Sequence, residues 1–348
     1  MVSIILPIRN EHNHIAEAIQ SIYDQKIREE YEIIISDGMS TDGTREIIKD
    51  IVKNHTSIKI IDNPQKIVSS GFNAALSISK GNYIVRLDGH AKLCPNYINK
   101  CLSLFKEIDA ECIGGYTRHF PKSFIGENIS IAQTSTFGAG GASFRTGVYK
   151  GKYVDTLAFG VYKRSVFKKI GGYDIELVRN QDEEFNYRLI QNGGKIWLDP
   201  SISSIYYVRN SVISFIKQYF NYGFYKVRVI QKIRSIFSIR HLIPGIFVFS
   251  IIASTFMALT LHYFIPIKLL VFSYLTINLS FTLYESIKSK FKHSMFLPLI
   301  FFLMHFSYGF GFLLGLFYFI RKWRKNTIKD SSFNKEEFLQ LNIDETIN

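Results

Sequence analysis

Three acidic clusters carry the chemistry that this sequence can do. In Arg86-Leu87-Asp88-Gly89-His90 a carboxylate and an imidazole stand two residues apart, at the end of the apolar run Tyr83 to Leu87. Carboxylate oxygen and imidazole nitrogen suit a divalent metal that holds a diphosphate, and Gly89 lets the backbone approach it closely. Asp88 is the candidate primary ligand, while His90 reads equally as a ligand or as a surface or capping residue. Further along, Asp182, Glu183 and Glu184 follow one another at the start of a helical period that reaches Leu189. Acids in a first turn gain about 0.3–1 kcal/mol from the helix dipole, which is one reason for them to be there. Three adjacent carboxylates also repel one another, which raises at least one of them toward the range of a general base. Transfer to a hydroxyl needs such a base within hydrogen-bond reach. The third cluster is Asp37-Gly38-Met39-Ser40-Thr41-Asp42-Gly43-Thr44, where Asp42 can cap a helix and the glycines turn the chain. Asp37, at a strand tip, can accept a hydrogen bond from a uracil-like N–H.

These residues need a scaffold, and the hydrophobic periods supply one. Short β-rich runs alternate with helical periods: Ser3 to Leu6, Ile15 to Tyr23, Tyr31 to Ser36, Arg45 to Lys53, Ile58 to Ile61, Val68 to Ser79 and Tyr83 to Leu87. The alternation predicts an α/β fold with a largely parallel central sheet covered by helices. Ligands of such sheets bind beyond the carboxyl ends of the strands, where Asp37 and Asp88 fall.

The chain of 348 residues is 47% hydrophobic, and the apolar content is concentrated after Arg240. Leu242 to Leu261, Phe264 to Tyr284 and Met295 to Ile320 are each near or above the ~20 residues that cross a bilayer as a helix. Before them, Val212 to Phe237 mixes aromatic and aliphatic residues with Lys217, Lys226, Arg228, Lys232 and Arg234, a basic amphipathic helix suited to the membrane interface or to packing on the sheet. With 42 Lys and Arg against 29 Asp and Glu the net charge is +13, but many cations flank the apolar runs and no nucleic-acid motif is present, so a membrane rather than nucleic acid is the expected partner. Cys94, Cys101 and Cys112 lack metal-type spacing and are odd in number, which argues against a disulfide framework. The start, Ser3-Ile4-Ile5-Leu6-Pro7, is strand-like and does not read as a signal peptide. Arg240, then Lys288, Lys290 and Lys292, then Arg321, Lys322, Arg324 and Lys325 all ask for the cytosol, which three crossings cannot satisfy. Either the third segment is re-entrant or interfacial, broken at Pro298 and Gly309, or the C-terminal tail violates the charge rule, so the segments make two or three spans.

Taken in order, Pro7-Ile8-Arg9-Asn10-Glu11, the Asp37 and Asp42 turn, Asp88-Gly89-His90 and Gln181-Asp182-Glu183-Glu184 resemble the family 2 glycosyltransferases, enzymes of GT-A fold. Arg86 to Ala91, Arg179 to Asp182 and Gln218 to Gly223 with Lys226 resemble the ExoA-like branch, named for succinoglycan biosynthesis. The resemblance implies that Asp37 contacts the nucleotide base and Asp88 is the first acid of the family's DxD element. It makes Asp182 the catalytic acid of an ED-type motif, with Glu184 as a nearby supporting acid. It also places Pro7, Arg9, Glu11, Ser70 and Asn73 around the donor, positions otherwise explained as strand ends and helix caps. Two departures stand out: His90 occupies the second Asp position of DxD, and Gln181 the usual Glu. Trp197 and Trp323 lack the QxxRW context of processive synthases, which favours transfer of one sugar.

The implied function is inverting transfer from a nucleotide-sugar, UDP-sugar favoured, with Mg2+ or Mn2+, to a polyprenyl-diphosphate-linked glycan in bacterial exopolysaccharide or capsule assembly. The expected organisation is a catalytic domain over residues 1–210 facing the cytosol and an interfacial region over 211–240. Inner-membrane segments over 241–320 and a tail over 321–348 follow. Two other readings use the same features: a polyprenyl-phosphate sugar synthase with Arg228, Lys232, Arg234 and Arg240 around a phosphate, and a membrane-tethered binding protein without catalysis.

Overall fold

The structure is a computed structural model and describes residues 1–53, 57–235, 238–290, 292–293 and 295–323. Arg324, Lys325 and the rest of the expected tail lie outside the described residues. The elements are, in order, β1 (Val2–Ile8), α1 (Ile15–Tyr23), β2 (Tyr31–Asp37), α2 (Thr44–Val52), β3 (Ile58–Asp62), α3 (Val68–Ile78), β4 (Tyr83–Arg86), β5 (Ala91–Leu93) and α4 (Tyr97–Leu104). Then come β6 (Cys112–Phe120), α5 (Phe124–Thr134), α6 (Thr136–Ala139), α7 (Ser143–Thr146), β7 (Lys152–Tyr153), β8 (Val161–Lys163), α8 (Arg164–Ile170), α9 (Gln181–Gln191) and β9 (Ile196–Tyr207). The last helices are α10 (Val212–Ile233), α11 (Ile243–Leu261), α12 (Ile265–Lys288) and α13 (Leu297–Tyr318).

Packing divides the described residues into two units, one of Met1–Arg118 with Gly147–Tyr206 and one of His119–Thr146 with residues 207–323. The first is built on the sheet, in the order β3-β2-β1-β4-β8-β6-β9-β5 with β7 on β9. Its N-terminal half is parallel, β1 lying between β2 and β4, and β8 joins β4 antiparallel. All seven residues of β1 are buried, as expected of a central strand covered on both faces, and its one polar side chain, Ser3, donates to Glu32 at 2.7 Å. Register then sets the functional row: Ile8 pairs with Asp37 and Asp37 with Asp62, so both acids end their strands at one level. Arg86 pairs with Ile5, and the chain continues from it into Leu87 and Asp88.

In the second unit Ile129, Ala132, Phe215, Tyr219, Leu297, Ile300, Phe301 and Met304 form one core, so α5 and α10 share their apolar faces with α13. Helix α10 is basic and amphipathic as its sequence implies, and it spends its apolar face on other helices of this unit. Three helical stretches, Ile239–Leu261, Ile265–Lys288 and Leu297–Tyr318, are long and apolar enough to cross a membrane. The expected break in the third is absent: Pro298 sits in the first turn, where its missing N–H costs nothing, and the helix continues through Gly309. At 22 residues it would extend ~33 Å, enough for one crossing. A polar ladder ties this unit together. His305 Nε2 lies 3.1 Å from the Phe137 carbonyl, which can only accept, so Nε2 carries the hydrogen and Nδ1 accepts from Tyr274 at 3.1 Å. Asn278 donates to the Pro298 carbonyl at 3.0 Å.

Close approach of α10 and α13 depends on glycine. A Cβ on Gly311 would collide with the Phe220 carbonyl, and one on Gly223 with that of Tyr308. Gly311→Leu is therefore expected to cost about 1–3 kcal/mol by forcing the helices apart, whereas Leu314→Ala, on the open side of α13, changes little. Thermal unfolding of the two variants in detergent checks this, and equal midpoints would refute it.

Candidate active site

At the carboxyl ends of β1, β2 and β4, two loops are laced into one surface. Asn10, in the left-handed region at φ 55°, donates its backbone N–H to Ser40 Oγ at 2.9 Å and accepts from the Thr41 N–H at 2.9 Å. Glu11 N–H donates to Thr44 Oγ1 at 2.8 Å and His12 N–H to Asp42 at 3.1 Å. Asp42 also accepts from the Thr44 N–H and hydroxyl. Burial pushes the Asp42 carboxyl up, but the bonds from Thr44 and His12 outweigh it and hold the group below the usual carboxylate range. Asp42 thus fastens α1 and α2 at their starts, beyond the capping role its sequence position suggests.

Asp37 lies beneath this surface with no exposed side-chain area. It accepts from the Ser40 hydroxyl at 2.6 Å and N–H at 3.1 Å and pairs with Arg45 at 3.4 Å. Arg45 pairs also with Asp62, whose side chain is 54% exposed. Asp37 therefore organises the turn, and Arg45 and Asp62 are its accessible polar groups. Of the other residues expected around the donor, Arg9 is exposed and Pro7 buried. Ser70 bonds Asn63 at 2.8 Å and the Ile67 carbonyl at 3.0 Å. Asn73 exchanges two bonds with the backbone of Tyr173, at 2.7 and 2.8 Å, fastening α3 to the chain before α9.

Asp88 and Asp182 are 94 positions apart in the chain and meet through Arg86. One guanidinium nitrogen donates to Asp88 at 2.8 Å and another to Asp182 at 2.9 Å. Arg86 is 5% exposed, Asp88 20% and Asp182 31% at the side chain, so the cation is buried under two carboxylates that reach the surface. Burial disfavours its charge, but Asp88, Tyr173 and Asp182 more than compensate, and its pKa is raised well above the ordinary arginine value. Asp182 is placed by α9, which is anchored one turn later: Phe185 stacks on Phe167 at 4.9 Å and buried Asn186 accepts from Tyr162 at 2.8 Å. Asn180 enters the helix at φ 62°, a conformation that Asn tolerates better than most residues.

The expected crowding of three acids on α9 is resolved by their having separate partners. Asp182 bonds Arg86, Glu183 accepts from Tyr187 at 2.7 Å, and Glu184 gives both oxygens to Arg188 at 2.8 and 2.9 Å. Successive helical positions point about 100° apart, so three consecutive acids cannot share one face. Arg188 further holds the Ile170 and Gly172 carbonyls. Glu184, 4% exposed, commits both of its oxygens to Arg188.

His90 Nδ1 lies 2.7 Å from Glu11 Oε1. An imidazole held by a carboxylate at one nitrogen is oriented and made more basic at the other, as in metal-ligating histidines. Gly89 is required by Glu11, since a Cβ would stand 2.6 Å from its Cγ. Among the described residues no three His, Cys, Asp or Glu groups form a protein-only metal cage. Asp88 offers the carboxylate oxygen that an ion of the Mg2+ or Mn2+ type takes beside water and phosphate, whereas the imidazole of His90, bonded to Glu11, is the softer donor that such a hard ion takes less readily. The sequence missed the roles of Arg86, Tyr173 and Arg45. For Arg86 the signal is a charged residue closing a strand whose neighbours Ile84, Val85 and Leu87 are fully buried, which demands an acidic partner.

Acids gathered beyond the carboxyl ends of parallel strands stand where open α/β sheets bind their ligands. Residues 3–171 match glycosyl transferase family 2. The chain is 30% identical over 90% of its length, and 97% of the relative's, to dolichyl N-acetyl-α-D-glucosaminyl phosphate 3-β-D-2,3-diacetamido-2,3-dideoxy-β-D-glucuronosyltransferase of Methanococcus voltae. It is 30% identical over 69% of its length, and 73% of the relative's, to the succinoglycan biosynthesis protein ExoA of Rhizobium meliloti. A solved mannosyltransferase of Pyrobaculum calidifontis, in complex with GDP-Man and Mn2+, shares the fold with a TM-score of 0.61 at 14% identity, over 90% of this chain and 86% of that one. The protein belongs to glycosyltransferase family 2 and is a glycosyltransferase.

Proposed function

We propose that the enzyme moves one sugar, with inversion, from a UDP-sugar to a sugar carried on a polyprenyl diphosphate or a related lipid phosphate. The reaction takes place at the cytosolic face of the inner membrane, as a step in exopolysaccharide or capsule assembly. The observation that carries this reading is the joining of Asp88 and Asp182 through Arg86 at the ligand end of the sheet. Asp182 receives the proton of the acceptor hydroxyl as that oxygen attacks the anomeric carbon, and the nucleoside diphosphate leaves from the opposite face. Asp88 and His90 would hold a divalent ion, Mg2+ or Mn2+, which supplies electrophilic stabilisation to the departing diphosphate. Arg45 and Asp62 offer the polar edge for the base, with Asp37 fixing both the turn and Arg45 from below.

Two observations support a lipid-borne acceptor. Among the described residues three helices are of spanning length, and the name of the Methanococcus voltae relative specifies a lipid phosphate-linked sugar. Holding enzyme and acceptor in one bilayer raises their effective concentration without any new contact. The alternative phosphate cluster receives less support, since Arg228 is only 2% exposed and bonds Gln231 at 3.3 Å.

Turnover by detergent-purified full-length protein against UDP, GDP and dTDP sugars, with lipid-linked and water-soluble acceptors, tests the reading. The expected result is transfer from a UDP-sugar to the lipid diphosphate-linked sugar, with the opposite anomeric configuration in the product by NMR. Transfer only to bare polyprenyl phosphate would overturn the acceptor assignment, and equal use of a water-soluble sugar would remove the role of the anchor.

A further inference from the structure

Arg86 does more than balance charge. A buried arginine must be paired on burial, and a lone partner on its own strand would suffice for that. Arg86 instead divides its fork, giving one nitrogen to Asp88, two residues away, and the other to Asp182, on a separate helix. The guanidinium carbon lies 5.8 Å from the centre of the Tyr173 ring. That ring is itself fixed, stacked on Phe72 at 4.2 Å and held at its backbone by Asn73. The chain Asn73, Tyr173, Arg86, Asp182 therefore runs from the donor-side helix α3 to the acid on α9.

We propose that Arg86 is a positioning residue, whose rigid two-pronged fork sets the Asp182 carboxylate relative to Asp88. The distance between the proton acceptor and the leaving-group end of the site then stays fixed while substrates exchange. This rests on the proposed roles of Asp88 and Asp182 and adds the device that couples them. Only arginine can do this: a lysine carries the same charge on one flexible nitrogen and cannot serve two carboxylates in a fixed geometry. The two acids keep 20% and 31% of their side chains exposed, so both remain solvated when the fork is removed.

The test uses the full chain with Arg86→Lys, Arg86→Met, Asp182→Asn and the Arg86→Lys/Asp182→Asn double variant. Turnover is read as nucleoside diphosphate released, with and without lipid-linked acceptor, and Mn2+–UDP affinity is read by calorimetry. Arg86→Lys is expected to lower kcat by about 10–100-fold, the scale seen when an outer partner of a reactive group is lost, while the affinity for Mn2+–UDP changes by less than about threefold. In the double variant the lysine substitution is expected to cost almost nothing beyond Asp182→Asn, because Arg86 acts through that carboxylate. Wild-type-like kcat in Arg86→Lys, or fully additive losses in the double variant, would overturn the proposal. If Arg86→Met does not fold, the charge-preserving lysine variant still decides. Release that the lipid-linked acceptor fails to stimulate would instead count against the acceptor reading, while the ratio of variant to wild-type release continues to report on Arg86.

Discussion

Asp182→Asn is expected to lower sugar transfer by roughly 100- to 10,000-fold, the usual worth of a positioned general base, while nucleotide binding persists. The amide keeps the shape of the carboxylate and can still accept the 2.9 Å bond from Arg86, but it cannot take a proton at neutral pH. The loops around Asp37 and Asp42 are held by their own bonds, none of which involves Asp182, so the nucleotide end of the site is left intact. Glu184→Gln is the control from the same helix turn. It breaks a buried pair with Arg188, and the loss appears in thermal stability instead of in the turnover of the folded fraction. Transfer rates and calorimetric nucleotide binding on both variants separate the two acids. Near-normal turnover by folded Asp182→Asn would remove the base assignment, and a Glu184→Gln variant of normal stability but no turnover would exchange the two roles.

The parallel half of the sheet was legible because its signal is local. β1, β2 and β4 are short buried runs between helical periods, and α1 has the bounds its periodicity predicts, Ile15–Tyr23. The acids were legible as residues, since chain position places Asp88 at a strand end and Asp182 in a first helical turn. Their juxtaposition was not, because it depends on a side chain whose two partners are two and 96 residues away. The same limit hid the separate commitments of Glu183 and Glu184, although helical geometry alone excludes a shared direction. The antiparallel strands left little trace, because glycine interrupts β6, serine and proline interrupt β9, and β8 is only three residues long. The segment Phe124–Thr134 was silent for another reason: its apolar residues complete a core with α10 and α13 and have no period that announces such partners. The close contact of α10 with α13 did have a sequence signal, Gly311 and Gly315 four residues apart in an apolar helix.

Asp88→Ala is expected to reduce kcat/KM by two to three orders of magnitude, about 3–4 kcal/mol, and to weaken nucleotide binding in Mn2+ more than in its absence. The carboxylate stands where the chain leaves β4, next to Gly89 and the His90–Glu11 pair. In the proposed mechanism it is the oxygen ligand that would hold the divalent ion against the diphosphate. Removing it leaves Arg86 with Asp182 as its single acidic partner in the fork, so the cation stays paired and the fold is not expected to collapse. This separates a binding defect from unfolding. His90→Ala should be milder, because an imidazole contributes no charge and phosphate oxygens or water can take its place around a hard cation. Chelator added to the wild-type protein should reproduce the Asp88→Ala defect, and Mn2+ should restore the wild type but not the variant. The measurement is a metal titration of transfer rate for wild type, Asp88→Ala and His90→Ala, with unfolding midpoints in parallel. Full wild-type turnover in excess chelator would overturn metal use altogether. A chelator-sensitive Asp88→Ala variant with a normal metal dependence would place the ion on other ligands.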